Sequence, residues 1–394
     1  MRIVIANDGF SDLGGVQVYL DAVVSELKAR GHALAMAYCT DGGGERVAST
    51  LCGLERFQVM GPDADRQFDA IRRWSPDLCY SHNMRQVAVD TRLMGLAPVV
   101  KFMHGYVGTC VSGHKLHAFP TPVACDRICG PACLALYFVR RCGRLSLTTL
   151  ANEWRDAGSA HAVLNRYAAI VVASGHMRRE YVRHGGERVL VNRLFPTQVP
   201  VSVMPPVPDE PHVAFLGRMT PLKGGDLLIR AVGHATARLG RPIRLTMIGD
   251  GPQRDDWEET ARRLAIPCHF TNWVHGDERW ALLGTASVVA VPSVWPEPFG
   301  LVGLEAGALG VTAIAHDVGG IGEWLRDGVN GVAVRSPATP ESFGEALASL
   351  LGDRTRLAAL RCGAHRVARE MTLAGHVDRL EEIFRSVVGE TARH

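Results

Sequence analysis

Residues 212–225 read HVAFLGRMTPLKGG: an apolar run, a glycine, two cations five positions apart, and a Gly-Gly pair opening an amphipathic stretch. That order spells a buried strand, a loop and a helix N-terminus. Strand, loop and helix repeated along a chain build a parallel sheet with crossover helices. Working outward, the same unit recurs on both sides. Toward the C-terminus, strands are expected at Ile243–Ile248, Cys268–Thr271, Val288–Val291 and Val311–Ala315, with helices at about 225–239, 253–265 and 301–309. Toward the N-terminus, strands are expected at Ile3–Ala6, His32–Tyr38, Asp77–Ser81, Val99–Met103 and Ile170–Ala173. Val16–Arg30 reads as a helix stopped by Gly31, and further helical segments fall at about 63–74, 84–95, 151–167 and 176–184. The expected fold class is α/β, with two Rossmann-like halves.

The segment TQVPVSVMPPVPDEP, from Thr197 to Pro211, has five prolines in fifteen residues and is read as the linker between the halves. The expected domains are therefore 1–205 and 206–375, with a closing helix at 376–394 that packs back on the first. At 394 residues, 47% hydrophobic and 21% charged, the chain has the size and composition for two buried cores. A net charge of only +3 argues against a nucleic-acid partner. The first 205 residues carry 23 basic and 17 acidic side chains against 20 and 23 in the rest, so an anionic partner fits the first half better. The N-terminus lacks the long apolar core of a secretory signal, and no window has the roughly 18 apolar residues of a membrane span. A cytoplasmic protein is expected, with peripheral contact at the inner membrane face left open.

In parallel α/β sheets the ligand-binding loops follow the strands, because helix N-termini there offer unpaired N–H groups. Gly14 and Gly15 sit in the first such loop. Arg218 and Lys223 flank the helix that opens at Gly224 and Gly225, an arrangement suited to a diphosphate. After strand Val288–Val291 the chain reads PSVWPEPFGLVGLEAGALG. Glu297 stands in the loop, while Glu305 lies a turn into the helix that starts at Gly300 and Leu301. Two carboxylates are thus offered to different parts of one elongated ligand.

The order of GG near the N-terminus, HG at His104, GRMTPLKG, IGDGP, PEPFGLVGLEA and VGGIGEWLRDGVNG resembles retaining glycosyltransferases of family 4. The likeness is dense over about 212–335 and sparse over 1–205. It implies the GT-B fold, two Rossmann-like parallel-sheet domains facing across a cleft, with acceptor bound by the first and a nucleotide sugar by the second. By that resemblance Arg218 and Lys223 hold the donor diphosphate and Glu305 the ribose. Glu297, with Phe299, Gly300 and Leu301, holds the sugar. Gly249, Asp250, Trp273 and Val274 lie near the base, and His104 lies beside the reacting centre. A uridine donor is the first expectation and guanosine the next, with a glycan, glycolipid or small-molecule hydroxyl as acceptor. No cofactor is expected for transfer, since the two cations suffice. Two rival readings are a nucleotide-sugar epimerase of the same fold and a non-catalytic nucleotide-sugar or metal-binding protein.

One segment stands apart from these motifs. Five of ten cysteines fall between Cys110 and Cys142, in an insert of about 105–150. Cys110, Cys125, Cys129 and Cys133 form a candidate structural zinc set, with Cys142 or His114 as substitutes, although the spacing is not the two-residue knuckle of zinc ribbons. Reduced thiols and redox disulfides are the alternatives. Within the insert, LALYFVRRCGR is apolar then basic and suits a lipid surface.

Overall fold

The computed structural model describes residues 1–9, 15–40, 53–84, 86–197, 204–274, 276–335 and 339–391. Through the first half the elements are β1 (Arg2–Gly9), α1 (Gly15–Ala29), β2 (Ala33–Thr40), β3 (Glu55–Gln58), α2 (Ala64–Trp74), β4 (Leu78–Ser81), α3 (Val87–Met94) and β5 (Val99–Met103). There follow β6 (Leu116–His117), β7 (Val123–Ala124), α4 (Ala132–Val139), α5 (Leu147–Ala162), β8 (Ala169–Val172), α6 (Gly175–Arg183) and β9 (Val189–Val191). The second half runs β10 (His212–Leu216), α7 (Gly225–Leu239), β11 (Arg244–Ile248), α8 (Arg254–Arg263), β12 (Cys268–Phe270), α9 (Asp277–Gly284) and β13 (Val288–Val291). It closes with α10 (Leu301–Ala308), β14 (Thr312–His316), β15 (Gly331–Val334), α11 (Pro340–Leu351), α12 (Arg354–Glu370) and α13 (Leu373–Thr391).

Two parallel sheets result, ordered β3-β2-β1-β4-β5-β8-β9 and β12-β11-β10-β13-β14-β15. Their central strands are buried on both faces, as helix-covered parallel strands must be. The fold is therefore α/β with two Rossmann-like halves, as the alternation of apolar runs and helical stretches implies.

Seven elements escape the sequence reading, among them the two-residue strands β6 and β7. β3, β9 and β15 are short edge or near-edge strands, of three or four residues, with too few positions to show a period. α4 lies in the cysteine-bearing stretch and is apolar on nearly every side, so it has no amphipathic signature. α9 is a two-turn helix. The long helical tail resolves into three helices, the second capped by Asp353, whose carboxylate accepts from Arg356 N.

Contacts divide the chain into two compact units, one of residues 1–115, 126–193 and 373–394, the other of 116–125 and 194–372. The final helix is thus part of the first unit. There Arg30, just past the end of α1, pairs with Asp378 at 2.5 Å, and His32 pairs with Glu381 at 2.8 Å. Tyr19 on α1 shares a 2.8 Å hydrogen bond with Nε2 of His376. In the second unit the core gathers Phe215, Ile229, Leu245, Trp257, Ile314 and Phe343 between sheet and helices. Of the expected linker, Gln198–Val203 lies outside the described residues.

Candidate functional site

In the second unit the loops after β10 and β11 are zipped together. Met219 N donates to the Asp250 carbonyl at 2.8 Å, and Gln253 N donates to the Met219 carbonyl at 3.1 Å. A Cβ at Gly249, whose φ is +127°, would sit 2.3 Å from the Gly217 carbonyl oxygen. Glycine is required at 249 for loop closure, and this role was invisible in the motif. Asp250 turns its carboxylate onto Gly251 N at 2.7 Å. Trp273 is exposed and Val274 half-buried.

Lys223 ends a short turn, Pro221–Lys223, and Gly224 follows with φ +69° as the N-cap of α7. A Cβ at Gly224 would lie 2.1 Å from the Pro292 carbonyl oxygen, so the turn can press against the end of β13 only with glycine there. This contact brings the two motif loops together. Lys223 Nζ lies 2.7 Å from Glu297 Oε1, which also accepts from the Ser293 hydroxyl, and the Trp295 ring lies 5.6 Å from the ammonium. Arg218 is exposed and makes no ion pair among the described residues. Arg218 and Lys223 both lie between β10 and α7, and Lys223 is engaged by Glu297.

The helix α10 opens at Gly300, φ +79°, with Leu301 as its first residue. Phe299 is buried and its carbonyl accepts from Trp324 Nε1 at 2.9 Å. Glu305, 4% exposed, accepts from the Thr197 hydroxyl at 2.7 Å. Burial raises its carboxyl pKa, against an opposing pull from Arg279. The Nε of Arg279 is buried without a hydrogen-bond partner among the described residues. Ser293, Thr197 and Arg279 were all missed. Ser293 stands four positions before Glu297 in the quoted run, whereas Thr197 reaches Glu305 only through the fold.

The first unit carries a separate cavity of about 560 Å³ at the C-terminal ends of its strands. His104, just after β5, lines it, and its Nε2 shares a 3.0 Å hydrogen bond with Nδ1 of His82, just after β4. Burial, and then the charge of Lys101, lower the His104 pKa to about 3. Burial, the His104 ring and Lys101 hold His82 well below the ordinary histidine value. Lys101 is itself buried, 2.7 Å from Asp90, which also accepts from Ser81 and Tyr167. Gly14 lies outside the described residues. Gly15 begins α1, and a Cβ there would meet nothing within 4 Å among the described residues.

Cys110, Cys125, Cys129 and Cys133, the candidate zinc set, form no disulfide among the described residues, where no group of three or more His, Cys, Asp or Glu is placed to hold a metal ion. Cys129, Cys133 and Cys142 pack against a small core of Val111, Tyr137 and Leu150. Burial, with Cys133 and Cys110 alongside, pushes the Cys129 thiol up to about 11. The pKa of the substitute His114 is lowered, chiefly by desolvation.

The folds of both units and the joined loops of the second define a GT-B-type glycosyltransferase architecture. HepE of Anabaena, solved with UDP, superposes with a TM-score of 0.73 at 18% identity, covering 98% of this chain and 100% of that one. WaaG, a glycosyltransferase of lipopolysaccharide biosynthesis, superposes at 0.69 with 17% identity, over 97% and 99% of the two chains. Residues 204–366 match the family of glycosyl transferases group 1, which bears out the resemblance drawn from the motifs. A D-inositol 3-phosphate glycosyltransferase of Nocardia farcinica is 42% identical over 168 residues, 40% of this chain and 37% of that protein. Its counterpart in Rhodococcus erythropolis is 40% identical over 187 residues, 45% and 42% of the two. The chain thus spans about two fifths of the length of these curated relatives.

Proposed function

We propose that the chain is a retaining glycosyltransferase. It moves a sugar from a nucleoside-diphosphate sugar, a uridine donor first and a guanosine donor next, to a hydroxyl acceptor. The product is a polysaccharide, glycolipid or glycosylated metabolite. The supporting observation is the 2.7 Å contact of Lys223 with Glu297, which joins the loop after β10 to the loop before α10. In this reading the bond from the anomeric carbon to the diphosphate oxygen breaks, leaving its electron pair on that oxygen. Arg218, Lys223 and the N-terminus of α7 stabilise the charge that develops there. The acceptor hydroxyl attacks from the same face, and its proton passes to the departing phosphate. No protein nucleophile and no metal is called for. Glu305 holds the ribose, Glu297 and the backbone at Phe299, Gly300 and Leu301 hold the sugar, and His104 serves the acceptor side. UDP, bound by HepE, is the natural first donor nucleotide to test.

The test is incubation with labelled UDP- and GDP-sugars alongside a thermal-shift screen of the nucleoside diphosphates. Transfer or slow donor hydrolysis supports the reading. A rearranged sugar without transfer would assign an epimerase, and binding without turnover a non-catalytic protein.

Peripheral membrane contact is part of the same reading. Ile128, Leu134, Val139, Leu145 and Leu147 are exposed around α4, beside the exposed Arg127, Arg140, Arg141 and Arg144. Apolar side chains ringed by arginine suit an anionic lipid surface. Among the described residues no helix is long and apolar enough to cross a membrane.

A further inference from the structure

Glu305, the carboxylate proposed for the ribose, stands in the second turn of α10 with the buried Leu304 and Ala306 on either side. Thr197, 108 positions earlier in the chain and within the same compact unit, reaches it. The Thr197 hydroxyl donates to Oε1 at 2.7 Å, and the Thr197 backbone N–H donates to the same carboxylate. Both residues are only 4% exposed, so the two bonds form away from water.

A hydroxyl and an N–H on one residue act as a two-point clamp, because the backbone fixes their spacing and the carboxylate must adopt one orientation to meet both. Fixing a glutamate side chain costs rotamer freedom, and here the fold imposes that order before any nucleotide arrives. An ionised carboxylate accepts about four hydrogen bonds. Thr197 accounts for two, and the capacity beyond them suits the hydroxyls of a ribose. Burial favours the protonated acid, which accepts less well, while Arg279 and then the two Thr197 bonds favour the ionised form.

We propose that Thr197 is a positioning residue for the donor nucleotide, holding the Glu305 carboxylate so that the site prefers a ribose to a deoxyribose. The inference rests on the reading of Glu305 as the ribose-binding carboxylate and deepens it. Thr197 touches no reacting atom and acts only through Glu305.

The test is calorimetric titration of the full chain with UDP and GDP, each beside its 2′-deoxy and 3′-deoxy analogues. The unaltered chain is expected to bind one of the two ribonucleotides more tightly than at least one of its deoxy analogues by about tenfold, the worth of a hydrogen bond to a charged group. Thr197→Val removes the hydroxyl and keeps the N–H. It should weaken the ribonucleotide by about fivefold while leaving that deoxy analogue within about twofold, so the preference narrows. Thr197→Ser, which restores a hydroxyl, should recover the preference, and Thr197→Ala gives the same readout as valine should the valine variant not fold. An undiminished preference in the hydroxyl-free variant overturns the proposal. So does an equal loss of ribonucleotide and deoxy analogue, which is what a merely structural role for Thr197 would produce. Failure of the underlying reading looks different: the unaltered chain binds neither nucleotide, or binds ribo and deoxy forms alike, or Glu305→Ala keeps the preference, and each of these removes the ribose assignment and the proposal with it.

Discussion

Lys223 and Glu297, 74 positions apart in the chain, meet through Nζ and Oε1 at 2.7 Å, and the Ser293 hydroxyl binds the same carboxylate oxygen. The contact ties the cation proposed for the diphosphate to the carboxylate proposed for the sugar. Lys223→Ala and Arg218→Ala are each expected to lower turnover by about 10²-fold or more, as loss of one preorganised charge stabiliser does. Steady-state rates on folded variants check this. In a double-mutant cycle, Lys223→Ala and Glu297→Ala should be non-additive by about 1 kcal/mol or more, because each removes the other's partner. Arg218→Ala and Glu297→Ala, with no shared contact among the described residues, should come closer to additivity.

Glu305 and Glu297 should separate binding from turnover. Glu305 is buried on α10 against Thr197, and Glu305→Ala is expected to weaken nucleoside diphosphate affinity itself. Glu297→Ala should depress turnover while leaving that affinity nearly intact. Calorimetry with UDP reads both, and equal losses would end the division between ribose and sugar.

Acid should destabilise the first unit from near-neutral pH downward. His376 bonds the Arg193 carbonyl through Nδ1 at 2.7 Å and the Tyr19 hydroxyl through Nε2, and burial lowers its pKa from 6.5 to about 4. His104 is lowered to about 3, and His82 is lowered too. Native protein holds these rings neutral while the unfolded chain protonates them near 6.5, so below that pH the unfolded state binds more protons. Stability is then fully present above pH 6.5 and falls as pH drops toward the folded values, by up to about 1.4 kcal/mol per pH unit for each such ring. Melting temperature across pH 7.5 to 5, above the main carboxylate range, should be flat and then decline. A constant value through pH 5 would contradict it.

The exposed apolar and basic surface around α4 predicts sedimentation with vesicles containing anionic lipid, weakened by raised salt and absent with neutral vesicles. Leu145→Asp with Leu147→Asp is expected to abolish it while nucleotide affinity is kept. Equal binding to neutral vesicles would remove the arginines from the account.

The order of strands and helices was legible from the chain alone, because an apolar run, a glycine turn and a helical period are local properties of neighbouring residues. For the same reason the loops at 217–225 and 296–305 could be read as ligand-facing: each follows an expected strand and opens an expected helix. Short strands such as Glu55–Gln58 and the uniformly apolar α4 were hidden, since neither has a period long enough to detect. Only the tertiary structure decided which side chains those loops engage. Ser293 and Lys223 converge on Glu297, Thr197 reaches Glu305, and His82 pairs with His104 across 22 positions. It also decided that Gly224 and Gly249 are needed for close approach, and that Cys129, Cys133 and Cys142 pack against the small core of Val111, Tyr137 and Leu150. Such pairings depend on strand order and on how far each loop is pressed onto the next, and these are set by packing the whole sheet rather than by neighbours in the chain.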